Sequence, residues 1–286
     1  MVMSTPSTAP RKNKSILITG CSSGIGYCVA HGLKARGWRV FATARKPEDI
    51  ARLKHEEGVE SLYLDYAEPD SIEAAADQVL QATGGTLDAL FNNGAYGQPG
   101  AVEDLSRAAL REQFETNLFG WHELTGLVLP VMRRQGHGRI VQNSSVLGFV
   151  ALKYRGAYNA SKFALEGLSD TLRLELQGTG IHIAIVEPGP IRSKFRENAY
   201  RMYLKHIRKE HSAHRAAYEA MEARLTKEGP AVPFTLGPEA VLKAVVHALE
   251  SPRPKIRYYV TFPTHLFALL RRLLPFRWLD GVLRRV

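Results

Sequence analysis

The 286-residue sequence predicts an α/β fold, a doubly wound parallel sheet of seven strands with helices on both faces. Two observations carry that expectation. Strand-like and helix-like segments alternate from Ser15 to Val260 without an obvious linker, as a sheet built from crossover helices requires. The residues able to do chemistry fall at the carboxyl ends of the strand-like segments, where such sheets bind ligands.

Met1–Lys14 is polar, rich in Ser, Thr and Pro, and has no apolar run of the kind a secretory signal needs, so it reads as a flexible tail. Residues 15–262 read as one domain. Its first strand, Ser15–Thr19, enters a glycine-rich turn and then the amphipathic segment Tyr27–Arg36. Further strands are expected at Arg39–Thr43, Ser61–Asp65, Ala89–Asn92, Arg139–Ser144, His182–Val186 and Ile256–Thr261, with helical patterns between most of them. After the sixth strand a long insertion at about 190–237 reads as a substrate lid. Residues 263–286 form an amphipathic extension. Leu266, Leu269, Leu270 and Leu273 recur there at helical spacing among five arginines, and Pro275 should interrupt the helix.

Composition excludes several classes of function. The formal charge of +10 comes without a nucleic-acid-binding motif, so it reports a solvated surface or attraction to anions, and no nucleic-acid partner is expected. Cys21 and Cys28 flank the glycine turn and are poorly placed for a disulfide or a metal clip, which fits a reducing cytoplasm. His206, His211 and His214 lie in a basic segment with no cysteine or regularly spaced carboxylate to complete a ligand set, so no metal is expected. No stretch of about 18 apolar residues is present to span a membrane.

Three residues can converge on one carbonyl group. Tyr158 and Lys162 are four apart and share a helix face, where a cation favours the charged form of the phenol. Ser145 lies thirteen residues before Tyr158, at the end of the fifth strand, where its hydroxyl can face the helix. Its neighbour Ser144 is the weaker candidate. Gly20, Gly24 and Gly26 follow the first strand and open a helix. They permit a tight turn, close approach to a pyrophosphate and helix-to-sheet packing, although the spacing G-x-x-x-G-x-G departs from the usual dinucleotide fingerprint. At the end of the second strand Ala44 stands where an acid would hold the ribose of NAD, and Arg45 follows, which favours the 2′-phosphate of NADP.

With Thr19-Gly-Cys-Ser-Ser-Gly-Ile-Gly26 and Tyr158-Asn-Ala-Ser-Lys162, the sequence resembles the short-chain dehydrogenase/reductase family over about residues 14–260. It looks most like bacterial NADP-dependent aldehyde or ketone reductases of the retinol-dehydrogenase and 17β-hydroxysteroid-dehydrogenase-like group. The resemblance implies a Rossmann-type fold and a hydride transfer in which Asn117, Ser145, Tyr158 and Lys162 are catalytic. It places the cofactor against Gly20, Ser22, Ser23, Gly24, Ile25, Gly26, Arg45, Asp65, Asn92, Gly94, Tyr158, Lys162, Pro188, Gly189, Ile191 and Ser193. Within that set Asp65 would hold the adenine and Asn92 the adenosine-side ribose, while Asn117 would hold a water linked to Lys162. Two departures stand out: Asn92-Asn93-Gly94-Ala95 exchanges the last two places of the family's N-N-A-G, and Ser193 replaces a threonine.

The expected substrate is an apolar aldehyde, ketone, retinoid-like or steroid-like carbonyl, or the matching alcohol. Tyr96, Ser145, Leu147, Leu152, Tyr154 and Phe195 would line its pocket, with further cover from Tyr200, Met202, Tyr203, Tyr218 and Met221 of the lid. Arg192, Lys194 and Arg196 leave room for an acidic substrate instead. The alternative function is an NADP-binding regulator on the same fold; retention of all four family positions favours the enzyme. A homodimer or homotetramer is expected. The C-terminal segment should pack as core or subunit interface, or lie on a membrane surface as a peripheral contact.

Overall fold

Seven short strands, most apolar at the centre of the sheet, form one sheet in the order β3-β2-β1-β4-β5-β6-β7, with every neighbouring pair parallel. They are β1 (Ser15–Ile18), β2 (Arg39–Ala44), β3 (Glu60–Tyr63), β4 (Ala89–Asn92), β5 (Gly138–Asn143), β6 (Ile181–Glu187) and β7 (Arg257–Tyr259). The computed structural model describes residues 14–55 and 58–286. The expected polar tail therefore lies, apart from Lys14, outside the described residues.

Between the strands run α1 (Gly24–Ala35), α2 (Pro47–His55), α3 (Pro69–Ala82), α4 (Arg107–Phe114), α5 (Gly120–Gln135), α6 (Gly156–Glu175), α7 (Phe195–His206), α8 (Arg215–Thr226) and α9 (Glu239–Glu250). Two more, α10 (Phe262–Leu273) and α11 (Phe276–Leu283), follow β7 and are separated at Pro275, as the sequence predicts. Successive side chains of a strand point to opposite faces, so Ile16 and Ile18 of β1 enter a core with α1 and α9 while Leu17 enters another with α3, α5 and α6. That division explains why the central strands β1 and β4 are buried throughout, covered on both faces, while the edge strand β3 is partly exposed.

The chain leaves β1 toward β2 on one side and returns through β4 on the other. This reversal opens a crevice at the carboxyl ends of β1 and β4. The long insertion forms α7, a single turn at Lys209–His211 and α8, with a small core of its own built from Ala199, Tyr203, Ile207, Tyr218, Met221 and Leu225.

Candidate active site

The crevice continues into a cavity of about 1360 Å³ whose walls come from the loops after β1, β2, β3, β4, β5 and β6. Gly20 has φ +66, and a Cβ there would stand 2.6 Å from the Gly94 Cα, so the turn needs glycine for both conformation and space. At Gly26 a Cβ would collide with the Gly20 carbonyl. Ser22, Ser23 and Ile25 line the cavity, and α1 begins there with no acidic residue in its first turn. Its amide dipoles are thus free to favour an anion. Arg45 sits at the adjoining edge, largely exposed, with Nη1 donating to Asp65 Oδ2 at 3.4 Å. An ion pair so exposed holds the arginine weakly, by roughly 0–1 kcal/mol. The glycine cradle, the helix terminus and Arg45 together fit the phosphates of a dinucleotide.

One cofactor expectation is corrected by the pleat of β4. Asn92 is fully buried. Its Oδ1 accepts from the Tyr66 hydroxyl at 2.7 Å, and its Nδ2 donates to Thr125 at 3.1 Å and Gln142 at 3.0 Å, so its side chain is used up inside the fold and does not border the cavity. The neighbouring Asn93 and Gly94 line the cavity instead. Thr19 Oγ1 accepts from the backbone amides of both, at 2.9 and 3.2 Å, and the Gly94 carbonyl accepts from Trp121 Nε1 at 2.9 Å. These bonds use main-chain atoms, so the Gly94-Ala95 exchange leaves the loop pinned.

Across the cavity, Ser145, Tyr158 and Lys162 come together on its wall. Ser145 ends the β5 loop, its Oγ accepting from the Leu147 amide at 3.1 Å and donating to the Pro188 carbonyl at 3.5 Å. Lys162 Nζ donates to the Asn143 carbonyl at 2.8 Å and lies 4.1 Å from the centre of the Trp121 ring and 5.8 Å from that of Tyr158. The expected lowering of the phenol by Lys162 is corrected. Burial pushes Tyr158 up to about 12, opposed by its hydrogen bond with Ser145 and not by Lys162. Burial also lowers Lys162 to about 7, opposed by the charge of Glu166. Tyr158 is therefore a neutral hydrogen-bond donor at ordinary pH.

Behind Lys162, α6 carries Glu166 and Asp170 on the same four-residue stripe. Arg257 of β7 donates to Glu166 at 2.7 Å, to Asp170 at 2.9 Å and to Glu187, at the end of β6, at 3.1 Å. One arginine faces three carboxyl groups. Burial, then the neighbouring Glu166, pushes Glu187 up to about 9, so Glu187 keeps its proton at neutral pH. The sequence gives no signal for this cluster.

Asn117 lies in a π-helical turn, Glu115–Phe119, between α4 and α5, where an ordinary helix would be read from spacing alone. It does not border the cavity. Its Nδ2 donates to the Tyr96 carbonyl at 2.9 Å and to Ser161 Oγ at 3.3 Å, and its Oδ1 accepts from the Tyr96 amide at 3.3 Å. It thus fixes the Tyr96 loop and the helix bearing Tyr158. Pro188, Gly189, Ile191 and Ser193 line the cavity, and Ser193 closes against Gly24. Gly24 and Gly26 shape the turn from behind.

Of the residues expected around the substrate, Tyr96, Leu147, Leu152 and Phe195 border the cavity, and the Phe195 ring stands 5.4 Å from that of Tyr158. Tyr154 does not. It has φ +60 and packs on the small core of the insertion, with its ring 6.1 Å from Tyr218 and 5.5 Å from His214. Tyr203, Tyr218 and Met221 are likewise buried in that core, with Tyr200 packed on it; of the other lid residues proposed as cover, Met202 reaches the cavity. Arg196 also borders the cavity but is spent on structure, donating to the Arg224, Lys227 and Gly229 carbonyls and tying α7 to the segment after α8. The sequence reading missed Phe234, Phe262, Leu266 and Phe267, which complete the apolar wall. Phe267 packs with Leu147, Val150 and Tyr158, so the C-terminal extension is a wall of the cleft. The leucine stripe was its only trace in the sequence. Among the described residues no three His, Cys, Asp or Glu converge to hold a metal.

A sequence model of the family described as short chain dehydrogenase matches residues 14–204. The chain is 43% identical over 271 residues to the oxidoreductase YbbO of Escherichia coli, covering 95% of this chain and 94% of that protein. It is 32% identical over 260 residues to human 17-beta-hydroxysteroid dehydrogenase type 1, covering 86% and 77%. Among solved structures, a Burkholderia phymatum short chain dehydrogenase/reductase in complex with NAD superposes with TM-score 0.75 at 25% identity, covering 92% of each chain. A single-residue variant of actinorhodin polyketide ketoreductase with NADPH gives 0.72 at 29%, covering 88% and 97%. The extent of these matches and the glycine, serine, tyrosine and lysine positions of the cleft lead to one conclusion: the chain is an oxidoreductase of the short-chain dehydrogenase/reductase family, in its retinol-dehydrogenase and 17β-hydroxysteroid-dehydrogenase-like group.

Proposed function

We propose that the protein is an NADP-dependent carbonyl reductase, acting reversibly on an apolar aldehyde or ketone and the matching alcohol. The observation that carries this reading is the shared wall of the cleft, where Ser145 and Tyr158 stand beside Leu147, Leu152, Phe195 and Phe267. The glycine turn and Arg45 would hold NADPH, which when bound would supply the hydride for the carbonyl carbon. As negative charge grows on the carbonyl oxygen, the Ser145 hydroxyl donates a hydrogen bond to it, and Tyr158 donates a second and then its proton. Lys162 holds the nicotinamide ribose hydroxyls and stabilises the phenolate that Tyr158 becomes. Asn117 holds the Tyr96 loop and the start of α6, so that the phenol is aimed before substrate arrives.

Preference for NADPH over NADH rests on Arg45 and on Ala44, which stands at the end of β2 where an NAD site places its acid. One similar structure carries NADPH and another NAD, so the preference is this chain's own question. Loss of a charge-assisted contact to the 2′-phosphate should cost about 1.5–3 kcal/mol. Arg45→Ala should therefore weaken NADPH roughly ten- to a hundredfold and leave NADH nearly unchanged, read by fluorescence titration of each cofactor. Equal loss for both would make Arg45 structural. Copies of the chain are expected to associate as a homodimer or homotetramer, which sedimentation of the purified protein reads directly.

A further inference from the structure

The outward face of α10 is apolar. Phe262, Leu266, Leu269 and Leu273 are spaced four, three and four residues apart and form one stripe, and all are exposed, Leu273 by 68%. The opposite face, with Thr264, Phe267 and Ala268, is already packed against the protein. The stripe continues into Phe276 and Trp278, which are 85% and 69% exposed. It also rims the cleft: Phe262 and Leu266 line the cavity, and Phe234, on the facing segment, places its ring 5.0 Å from that of Phe262.

Charge identifies what covers this face. Residues 262–286 contain five arginines and a single acid, Asp280. Arg271 is committed to the Phe149 carbonyl and the Phe163 ring. Arg272, Arg277, Arg284 and Arg285 are exposed, and among the described residues none of their guanidinium groups is paired with a carboxylate. A second copy docked here would bring two sets of arginines together, since a two-fold contact places the same patch on both sides. An anionic lipid surface satisfies both components, with leucines and aromatic rings entering the acyl boundary and arginines meeting the phosphates.

We propose that α10 and α11 seat the protein on an anionic lipid surface with the mouth of the cleft against the leaflet, so that apolar substrate enters from the lipid. The entry route rests on the apolar-carbonyl reading above; the seating does not. The test is flotation of the full chain with phosphatidylglycerol-containing vesicles and with phosphatidylcholine vesicles, comparing the parent with Leu269→Asp/Leu273→Asp. Neither leucine lines the cavity. The parent should float with the anionic vesicles, and the double variant should lose about a hundredfold in partitioning, roughly tenfold for each leucine no longer buried. Replacing Arg272 and Arg277 by Gln should reduce binding roughly fivefold per arginine, and only on anionic vesicles. Thermal denaturation of the variants checks that the fold is kept. A parent that stays with the unbound fraction, or a double variant that floats as well as the parent, overturns the proposal. So does lipid-free, concentration-dependent association abolished by the same double substitution, which would assign the face to a second copy. Flotation without activity on apolar carbonyls would refute the substrate reading alone.

Discussion

Tyr158 illustrates how burial, and not the nearby ammonium, decides the starting state of a proton donor. Its phenol is pushed up to about 12 and is therefore neutral, as a donor to a carbonyl must be before reduction. Tyr158→Phe removes that proton with almost no change of volume. Turnover should fall by roughly 10² or more while NADPH binding is kept. Lys162→Met should reduce both, because it removes the proposed ribose contact and the bond to the Asn143 carbonyl together. Single-turnover kinetics beside cofactor titration separates the two losses. At this scale the sequence was legible where covalent spacing fixes geometry: Tyr158 and Lys162 share a helix face wherever that helix sits. Asn92 and Asn93 were not separable, because which of two adjacent residues faces the ligand depends on the pleat of β4, and a shift of one residue reverses it.

Between elements, the contact of β6, β7 and α6 around Arg257 carries a pH dependence of stability. Glu187 has an ordinary carboxyl pKa of 4.5 when unfolded and is pushed up to about 9 when folded. Below pH 4.5 both states hold the proton. Between those values the folded state alone holds it, so stability should fall as pH rises through this window. Glu187→Gln should flatten that fall, read as a smaller loss of Tm between neutral pH and pH 9, where about 1 kcal/mol is worth roughly 2–4 °C in a domain of this size. An unchanged slope would remove Glu187 as its source. Neither this cluster nor the sorting of the aromatic residues of the insertion could be read from sequence. Tyr203 and Tyr218 look like pocket residues by composition, yet α7 and α8 must first bury their own facing sides, and those rings are what they bury.

Over the whole molecule, the number of strands and their alternation with helices were legible because a parallel sheet covered by helices demands apolar strand segments joined by crossovers, whereas the order of the strands was not. The closing of the cleft by its own C-terminus was less legible. A leucine stripe at helical spacing fits a core, an interface or a membrane equally well, and only the packing of Phe267 on Tyr158 and Leu147 shows that one face belongs to the cleft. No helix among the described residues is long and apolar enough to cross a membrane. The proposed reduction of an apolar carbonyl depends on the size and lining of this cleft. Arg192, Lys194 and Arg224 also border the cavity and would suit an acidic substrate instead. A series of straight-chain aldehydes assayed with NADPH distinguishes the two. If the apolar wall sets specificity, each buried methylene contributes up to ~0.8 kcal/mol and kcat/KM climbs several-fold per carbon until the cavity is full. A flat series, or a clear preference for carboxylate-bearing carbonyls, would contradict it.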